Sequence, residues 1–148
     1  MKIKDFLEVL NIVEFFIGVP DSKLKPLCNY LINTYGVDNK HHIAVNEGNA
    51  VAIAAGYYLS TAKHPCVYMQ NSGLGNIINP VLSLTDQNVF GIPIIYIIGW
   101  RGEPDTLDEP QHLKQGEVTP SLLKILDIAY EEINYNTTKE GLITKWET

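Results

Sequence analysis

The sequence is poor in cysteine, and its two cysteines are far apart. Cys28 and Cys66 cannot supply the set of disulfides that holds a small secreted protein together, and no CxxC pair or Cys/His cluster predicts a zinc site. Cys28 falls on the apolar face of a predicted helix and Cys66 in a predicted strand. We therefore expect two buried thiols in a protein from a reducing compartment.

Basic residues and long apolar runs are also scarce. Lysine and arginine total 11 against 17 aspartates and glutamates, a formal net charge of −6, which argues against a general nucleic-acid binder. No apolar stretch approaches the ~18 residues needed to cross a bilayer, and the amphipathic start of the chain differs from a signal peptide. We therefore expect a cytoplasmic protein that binds neither nucleic acid nor membrane.

The apolar residues that are present suffice for one folded domain. Hydrophobic residues make up 45% and charged residues 19% of the 148 positions, which excludes a disordered chain and fits a single domain over 1–148. The apolar segments alternate between helical and extended patterns. Strands are predicted at 15–19, 42–46, 66–71, 93–99 and 128–133, and helices at 4–14, from Asp21 or Ser22 onward, at 48–61, 77–87, 119–127 and 137–146.

This alternation predicts an α/β fold, a three-layer open and mostly parallel sheet with helices on both faces. In such a fold, ligands bind beyond the carboxyl ends of the strands. Polar or glycine-rich segments follow four of the predicted strands, at 20–22, 47, 72–76 and 100–115. The last of these belongs to a stretch, 100–118, that is predicted to be a long polar loop.

Glu47 is the most informative single residue of the sequence. It follows an apolar strand and precedes a helix rich in alanine and glycine, which places its carboxylate in a crevice beside a helix N-terminus. The alternative is an exposed glutamate in a first helical turn, where the helix dipole favours it. Spacing alone leaves both interpretations open.

The other polar segments carry weaker signals. The glycine loop (residues 71–76, NSGLGN) lets a ligand approach its backbone, but it matches neither a dinucleotide fingerprint nor a P-loop, and a plain tight turn fits equally well. Acidic residues surround His112 in the 100–118 stretch, but their spacing fits no metal motif, so no metal ligand is predicted in this chain. His41 and His42 begin a strand and are expected in a surface turn.

Four segments, taken in order, resemble the pyrimidine-binding domain of thiamine-diphosphate enzymes. They are a Gly-x-Pro turn, a glutamate after the second strand, an Ala-x-Gly step in a helix and a Ser-Gly-x-Gly loop: Gly18-Val19-Pro20-Asp21-Ser22, Asn46-Glu47-Gly48-Asn49, Ala54-Ala55-Gly56-Tyr57 and Asn71-Ser72-Gly73-Leu74-Gly75-Asn76. Order and spacing fit over roughly residues 11–130. The longer stretches NEGNAVAIAAGYYL, IIGWRGEP and DEPQHLKQGEVT are most similar to the decarboxylases of phosphonopyruvate and sulfopyruvate.

The resemblance implies that the chain contributes to a thiamine-diphosphate site. Glu47 would hydrogen-bond N1′ of the cofactor's aminopyrimidine, and the cofactor would supply the chemistry of decarboxylation. Further cofactor contacts would come from Pro20, Gly73, Gly75 and Asn76. The family's Gly-Asp-Gly…Asn-Asn motif, which binds Mg²⁺ and diphosphate, does not occur in this sequence. The ligands of Mg²⁺ are therefore expected on a partner domain or subunit.

The resemblance also implies a small anionic 2-oxo acid as the substrate. Its contacts are expected on the loops that follow the strands, from Ser22, Arg101, Gln111 and His112. His112, with help from Asp21, would return a proton after CO₂ leaves. Arg101 would bind the second anionic group with its planar fork of donors. The alternative for Arg101 is an ion pair with Glu103 or Asp105 on its own loop.

The sequence thus predicts half of a thiamine-diphosphate-dependent carboxy-lyase that acts on phosphonopyruvate, with a sulfopyruvate decarboxylase alpha subunit as the alternative. Such a chain would be active only with a diphosphate-binding domain or subunit, and it would self-associate with other pyrimidine domains. The alternative from another class is a non-catalytic module that binds a partner but no cofactor.

Overall fold

Four parallel strands form the centre of the structure, a computed structural model that describes residues 1–146. The strands lie in the order β2-β1-β3-β4. Their bounds are Val13–Gly18 (β1), His41–Ile43 (β2), His64–Gln70 (β3) and Ile95–Gly99 (β4). The α-helices of the described residues are Ile3–Val9 (α1), Lys25–Tyr35 (α2), Glu47–Thr61 (α3), Leu74–Pro80 (α4), Pro110–Ile125 (α5) and Lys139–Trp146 (α6).

Helices cover both faces of the sheet, which confirms the predicted three-layer α/β fold. Phe15 and Ile17 of β1 pack with α3, α4 and the last turn of α5. Phe16 points to the opposite face and packs with α2 and α1, while α6 packs against α1. Strand residues that alternate between two covered faces are apolar on both faces, so β1, β3 and β4 contain the continuous apolar runs FFIG, CVYM and IYIIG, whereas the short edge strand β2 is HHI.

Both cysteines are free and buried, as predicted, and burial raises the pKa of each thiol. Cys66 lies in β3 and Cys28 in α2, within the core on the Phe16 face of the sheet. None of the helices within residues 1–146 combines the length and apolar character that crossing a membrane requires.

The predicted loop over 100–118 is wrong in its second half, because α5 begins at Pro110. Proline suits the first turn of a helix, where its missing N–H would have no partner in any case. The positions that α5 buries are Gly116, Thr119 and Leu123. Two of these three residues are small or polar, so the helix has no clear apolar period in the sequence.

The predicted strand at 128–133 is also wrong. After Asp127, which has a left-handed backbone (φ 56°), residues 128–133 are irregular. Ile128 packs against the core, whereas Tyr130 and Ile133 are each 47% exposed. A strand needs a neighbour for its backbone hydrogen bonds, and this segment pairs with neither edge of the sheet.

The second helix begins later than either predicted cap. It starts at Lys25, with Leu24 at the cap position and a proline in the first turn. Asp21 accepts a hydrogen bond from the backbone N–H of Lys23 at 2.8 Å, so it closes a tight turn before the helix. Ser22 is thereby left exposed on the segment that joins β1 to α2.

His41 is fully buried and does not lie in a surface turn as predicted. Its Nδ1 is 2.7 Å from the carbonyl oxygen of Gly36, and its Nε2 is 2.8 Å from the hydroxyl of Tyr68. Both ring nitrogens therefore have partners, which removes the cost of burying the imidazole. His42 is exposed, with its ring beside that of Phe15.

Candidate active site

The carboxyl ends of the four parallel strands lie along one edge of the sheet. The chain leaves β1 for β2 on one side and leaves β3 for β4 on the other, so the topological switch point lies between β1 and β3. Ligands of open α/β sheets bind at such a point. The segment 19–24 follows β1 here, and the glycine loop follows β3.

Glu47 is the first residue of α3 and is half-buried. Asn46 caps the helix, since its side-chain oxygen accepts a hydrogen bond from the backbone N–H of Asn49 at 2.9 Å. This cap orients the first turn and therefore the Glu47 side chain. Oε2 of Glu47 accepts a hydrogen bond from Nδ2 of Asn76 at 2.7 Å. The carboxylate is thus held against the glycine loop, which favours the crevice interpretation over a free surface glutamate.

Two glycines allow this close approach between α3 and the glycine loop. A Cβ atom on Gly73 would lie 2.5 to 2.7 Å from Cγ, Cδ and Oε1 of Glu47. A Cβ atom on Gly48 would lie 2.8 Å from the carbonyl oxygen of Asn76. Gly75 differs, because nothing stands within 4 Å of its added Cβ atom. Glu47, Gly73 and Asn76 are called the Glu47 cluster below.

A second group of side chains, called the Asp108 cluster, joins Ser22, Arg101, Asp108 and His112. Arg101 donates from Nε and Nη2 to the two carboxylate oxygens of Asp108, at 2.9 and 2.6 Å. Its Nη1 donates to Oγ of Ser22 at 2.8 Å. His112 places Nδ1 2.8 Å from Oδ1 of Asp108 and 3.1 Å from Nη2 of Arg101.

Asp108 is the centre of this cluster. Besides the side chain of Arg101, the backbone N–H groups of Gly102 and Glu109 donate to it, each at 2.8 Å, and Nδ1 of His112 lies 2.8 Å from its Oδ1. The hydrogen bonds from Arg101 and Gly102 are the largest causes that hold the pKa of the Asp108 carboxyl far below its usual range. The same ion pair raises the pKa of Arg101. Both groups are therefore charged at neutral pH.

A proline in α5 anchors the segment that carries Arg101. Pro120 has no N–H to donate to the carbonyl of Gly116, four residues earlier, and the indole N–H of Trp100 donates to that carbonyl at 2.9 Å. Gly102, with a positive φ of 66°, lies so close that its added Cβ atom would be 2.0 Å from the His112 carbonyl oxygen. The start of α5 is thereby held against residues 100–102.

Asn71 connects the two clusters through the glycine loop. It is fully buried, and its Nδ2 donates to the carbonyl of Arg101 and to Oγ1 of Thr119, both at 2.9 Å. Its Oδ1 accepts from the backbone N–H of Arg101 at 3.1 Å. Gly73, two residues along the same turn, touches Glu47. One turn of backbone therefore positions both clusters.

The segment after β1 reaches across to the end of β4. A Cβ atom on Gly99 would lie 2.8 Å from Oδ2 of Asp21, so this carboxylate rests on the last residue of β4. Lys23 extends Nζ to the Trp100 carbonyl and forms an ion pair with Glu103 at 3.3 Å. Asp21 is thus placed at the edge of the sheet beside the Asp108 cluster.

The structure brings together most, but not all, of the predicted site residues. Ser22, Arg101 and His112 meet in one cluster, and Glu47, Gly73 and Asn76 meet in the other. Pro20, Gly75 and Gln111 lie on these same segments but are exposed. Arg101 does form an ion pair within its own loop, although the partner is Asp108 and neither of the two acids considered from the sequence. Residues 1–146 contain no group of three or more His, Cys, Asp or Glu side chains arranged to hold a metal ion.

Asp108 and Asn71 are the residues for which the sequence predicted no role. Asp108 is one of several acidic residues in the 100–118 stretch. Only its spacing of four positions from His112, which places two residues on one face of a helix, could have indicated its role. That signal was hidden because the segment was predicted to be a loop. Asn71 belongs to the glycine loop, but the sequence gave no indication of its hydrogen bonds, since its partners Arg101 and Thr119 are distant in sequence.

The sequence matches the family described as "Thiamine pyrophosphate enzyme, N-terminal TPP binding domain" over residues 3–123. Because the match covers most of the chain, the protein belongs to this family, as the four motifs predicted.

The relatives at the level of individual proteins are decarboxylases. The chain is 41% identical over 123 residues to the phosphonopyruvate decarboxylase of Streptomyces viridochromogenes, covering 83% of this chain and 30% of that one. It is 36% identical over 118 residues to sulfopyruvate decarboxylase subunit alpha of Methanococcus maripaludis, covering 80% of this chain and 67% of that one. The chain thus spans about a third of the length of the first relative.

A solved structure shares the fold. It is a putative thiamin diphosphate-dependent enzyme from Mycobacterium smegmatis, with a TM-score of 0.51 and 21% sequence identity. The match covers 74% of this chain and 21% of that one.

Proposed function

We propose that the chain is the pyrimidine-binding half of a thiamine-diphosphate-dependent 2-oxo acid decarboxylase, with phosphonopyruvate as its substrate. The observation that carries the proposal is the Glu47 carboxylate, held against Gly73 by Asn76 at the switch point of the sheet. The relatives named for decarboxylation of phosphonopyruvate support the choice of substrate.

The surroundings of Glu47 fit an aminopyrimidine ring. Gly73 carries no side chain that would cover the carboxylate, and Gly75 leaves open space on the same loop. When bound, thiamine diphosphate supplies the electron sink through which a 2-oxo acid loses CO₂. Glu47 would hold the proton shared with N1′ of the ring. The other borders of the ring would be Pro20, Gly73, Gly75 and Asn76.

The Asp108 cluster would serve the substrate. Ser22 and the Nη1 edge of Arg101 offer donors to a second anionic group, and the exposed Gln111 offers an amide at the start of α5. His112 would return a proton to the carbon that has lost CO₂, and Asp21 would assist from the edge of β4. Local cations are needed for a polyanionic substrate, because the chain as a whole carries a net charge of −6.

We place the ligands of Mg²⁺ and of the diphosphate on a partner domain or subunit in the cytoplasm. Relatives from three methanogens are named as alpha subunits, which supports a partner on a separate chain. The same relatives favour a second candidate function, that of a sulfopyruvate decarboxylase alpha subunit. The two candidates share one mechanism, with CO₂ as the leaving group, and differ in the second anionic group, phosphonate or sulfonate, that the substrate keeps.

Reconstitution tests the proposal. The tagged chain would be recovered with its partner and assayed for CO₂ release from phosphonopyruvate, sulfopyruvate and pyruvate, with thiamine diphosphate and Mg²⁺ present. We expect activity only in the complex. Glu47→Gln should lower kcat by about 10²–10⁴-fold, since glutamine keeps the shape but cannot share the proton.

Glu140→Gln is the matched control, because Glu140 is an exposed glutamate in the first turn of α6. It should leave turnover unchanged. A Glu47→Gln complex that works within about threefold of the wild type would remove Glu47 from the proposed role. Association that is indifferent to the cofactor, in a complex that releases no CO₂, would indicate a non-catalytic module.

A further inference from the structure

The Nδ1 atom of His112 lies between a group that can only donate and a group that can only accept. Nη2 of Arg101, at 3.1 Å, belongs to a guanidinium, which has no acceptor. Oδ1 of Asp108, at 2.8 Å, belongs to a carboxylate, which has no proton to give while it is ionised. Whichever neighbour bonds to Nδ1 decides which ring nitrogen of the neutral imidazole carries the proton.

The contacts favour Asp108 as the partner of Nδ1. Nη2 of Arg101 already donates to Oδ1 of Asp108 at the shorter distance of 2.6 Å. An unprotonated Nδ1 would hold its lone pair 2.8 Å from a carboxylate oxygen, whereas a protonated Nδ1 makes a charge-assisted hydrogen bond there. Asp108 stays ionised because four other donors surround it, two from Arg101 and the backbone N–H groups of Gly102 and Glu109. Nδ1 of His112 is therefore the protonated nitrogen, and Nε2 carries the free lone pair.

The backbone also restrains the ring of His112. The backbone carbonyl oxygen of His112 lies so close to Gly102 that a Cβ atom added to Gly102 would be 2.0 Å from it. Asp108 precedes His112 by four residues, and the backbone N–H of Glu109 donates to the Asp108 carboxylate at the entry to α5. The imidazole is thus oriented from the main chain and from Nδ1, with its side chain only 16% exposed.

We propose that Asp108 is a positioning residue of the decarboxylase site, which holds His112 as the Nδ1-protonated tautomer so that Nε2 is the nitrogen that exchanges a proton with the substrate. This proposal rests on the function proposed above. A proton taken from water onto Nε2 gives an imidazolium that Asp108 stabilises. The Nε2–H bond then breaks as a C–H bond forms at the carbon that has lost CO₂. His112 returns to its neutral tautomer, and Asp108 stays ionised throughout.

Nitrogen NMR of the histidine-labelled chain tests the tautomer without any assay of activity. His112→Gln identifies the signals of His112 by their loss. At a pH where the ring is neutral, we expect a protonated Nδ1 and an unprotonated Nε2. Asp108→Asn should move the proton toward Nε2, because an amide can present N–H groups to Nδ1. A wild-type ring protonated on Nε2 would overturn the proposal, whether or not the variant folds.

Asp105→Asn is the matched control, since it makes the same change on the same loop. Asp105 is exposed and has a φ of 62°, a conformation that asparagine tolerates. This variant should leave the His112 signals and the kinetics unchanged. If it shifts the His112 signals as far as Asp108→Asn does, the tautomer does not depend on Asp108 and the proposal fails.

Kinetics of the reconstituted complex supply the second arm. Asp108→Asn should lower kcat at least about tenfold and should shift the pH profile of kcat. We expect KM to rise as well, because Asp108 also holds the guanidinium of Arg101. In a His112→Gln background the same change should cost almost nothing further in kcat, because Asp108 acts on the proton transfer through His112. Full additivity of the two losses would contradict the proposal. A wild-type complex that decarboxylates none of the three acids would refute the proposed function. The NMR experiment would still show which nitrogen of His112 is protonated, because it does not depend on activity.

Discussion

Arg101 has to serve two sets of partners with one guanidinium. Nε and Nη2 face Asp108, and Nη1 donates to Ser22, so one N–H of Nη1 is left for a ligand. At the scale of the residue, this division explains why the side chain is both an internal ion pair and a candidate anion contact. Lysine keeps the charge but loses the planar fork, so it cannot satisfy Asp108 and a second anion together.

We therefore expect Arg101→Lys to raise KM for phosphonopyruvate by about tenfold or more relative to its effect on pyruvate, which lacks the second anion. Steady-state kinetics of the reconstituted complex on both acids measure this ratio. Pyruvate serves as the internal control for damage to the fold of the loop. Equal changes in KM for the two acids would mean that Arg101 is structural and that the partner binds the second anion.

At the scale of the element, the glycine loop contains two glycines with different surroundings. Gly73 has no space for a side chain beside Glu47, whereas Gly75 has open space. We expect Gly73→Ala to displace the Glu47 carboxylate and to weaken thiamine-diphosphate binding in the complex by at least about tenfold, by the loss of a charge-assisted contact. Titration calorimetry measures the affinity.

Gly75→Ala is the control for the intrinsic effect of alanine in this loop, and it should leave the affinity within about twofold, as expected of an exposed substitution. Equal losses from both variants would show that the loop itself, and not the space in front of Glu47, decides binding. The melting temperature of each variant separates displacement of Glu47 from general unfolding.

The sequence predicted best those elements whose pattern of apolar residues matches their burial in the fold. PIIYIIG and FFIGV are continuous apolar runs, and a strand covered on both faces requires such runs, so β4 and β1 were located to within two residues. The first half of α5 was missed because the one residue it buries is a glycine, Gly116, so it has no apolar period in the sequence. Residues 128–133 have the composition of a strand, but whether they pair depends on the edge of a sheet formed by distant residues.

The candidate site likewise contains residues that local motifs predicted and residues whose contacts depend on distant parts of the chain. Glu47, Gly73 and Asn76 were predicted from motifs that keep their spacing along the chain. The partnership of Arg101 with Asp108 could not be predicted, because it depends on the bend of loop 100–109. Nor could Asn71 be assigned a role, since its contacts to Arg101 and Thr119 exist only once β3, β4 and α5 have come together.

At the scale of the whole molecule, α3, α4 and the residues that adjoin these helices expose several apolar side chains. Ile53 is 49% exposed, and Ile78 and Leu82 are 37% and 44% exposed. Val45, just before α3, is 89% exposed. Exposed apolar side chains that form a contiguous patch mark interaction surfaces. A pyrimidine domain whose active site closes against a partner would cover them.

We expect the isolated chain to self-associate and the partner to replace that contact, with a rise in melting temperature. Sedimentation velocity and thermal unfolding, with and without the partner, measure both effects. Ile53→Lys should weaken association, because it places a charge on the apolar surface. Ile12→Lys is the control, since Ile12 is similarly exposed (45%) but lies in the turn before β1. A monomeric chain whose melting temperature does not change when the partner is added would contradict this expectation.

The indole of Trp100 and the proline of α5 have a consequence for how this protein can vary in length. The indole N–H of Trp100 donates to the carbonyl of Gly116, and Asp108 pairs with Arg101. Both ends of the segment 101–108 are therefore held in place. Within this segment, residues 104–107 are exposed, and Leu107 is fully exposed. Within residues 100–116, insertions and deletions are therefore tolerable only in that interval. A single residue gained or lost between Asp108 and Gly116 would rotate His112 away from Arg101 by about 100°, the turn of one helical residue.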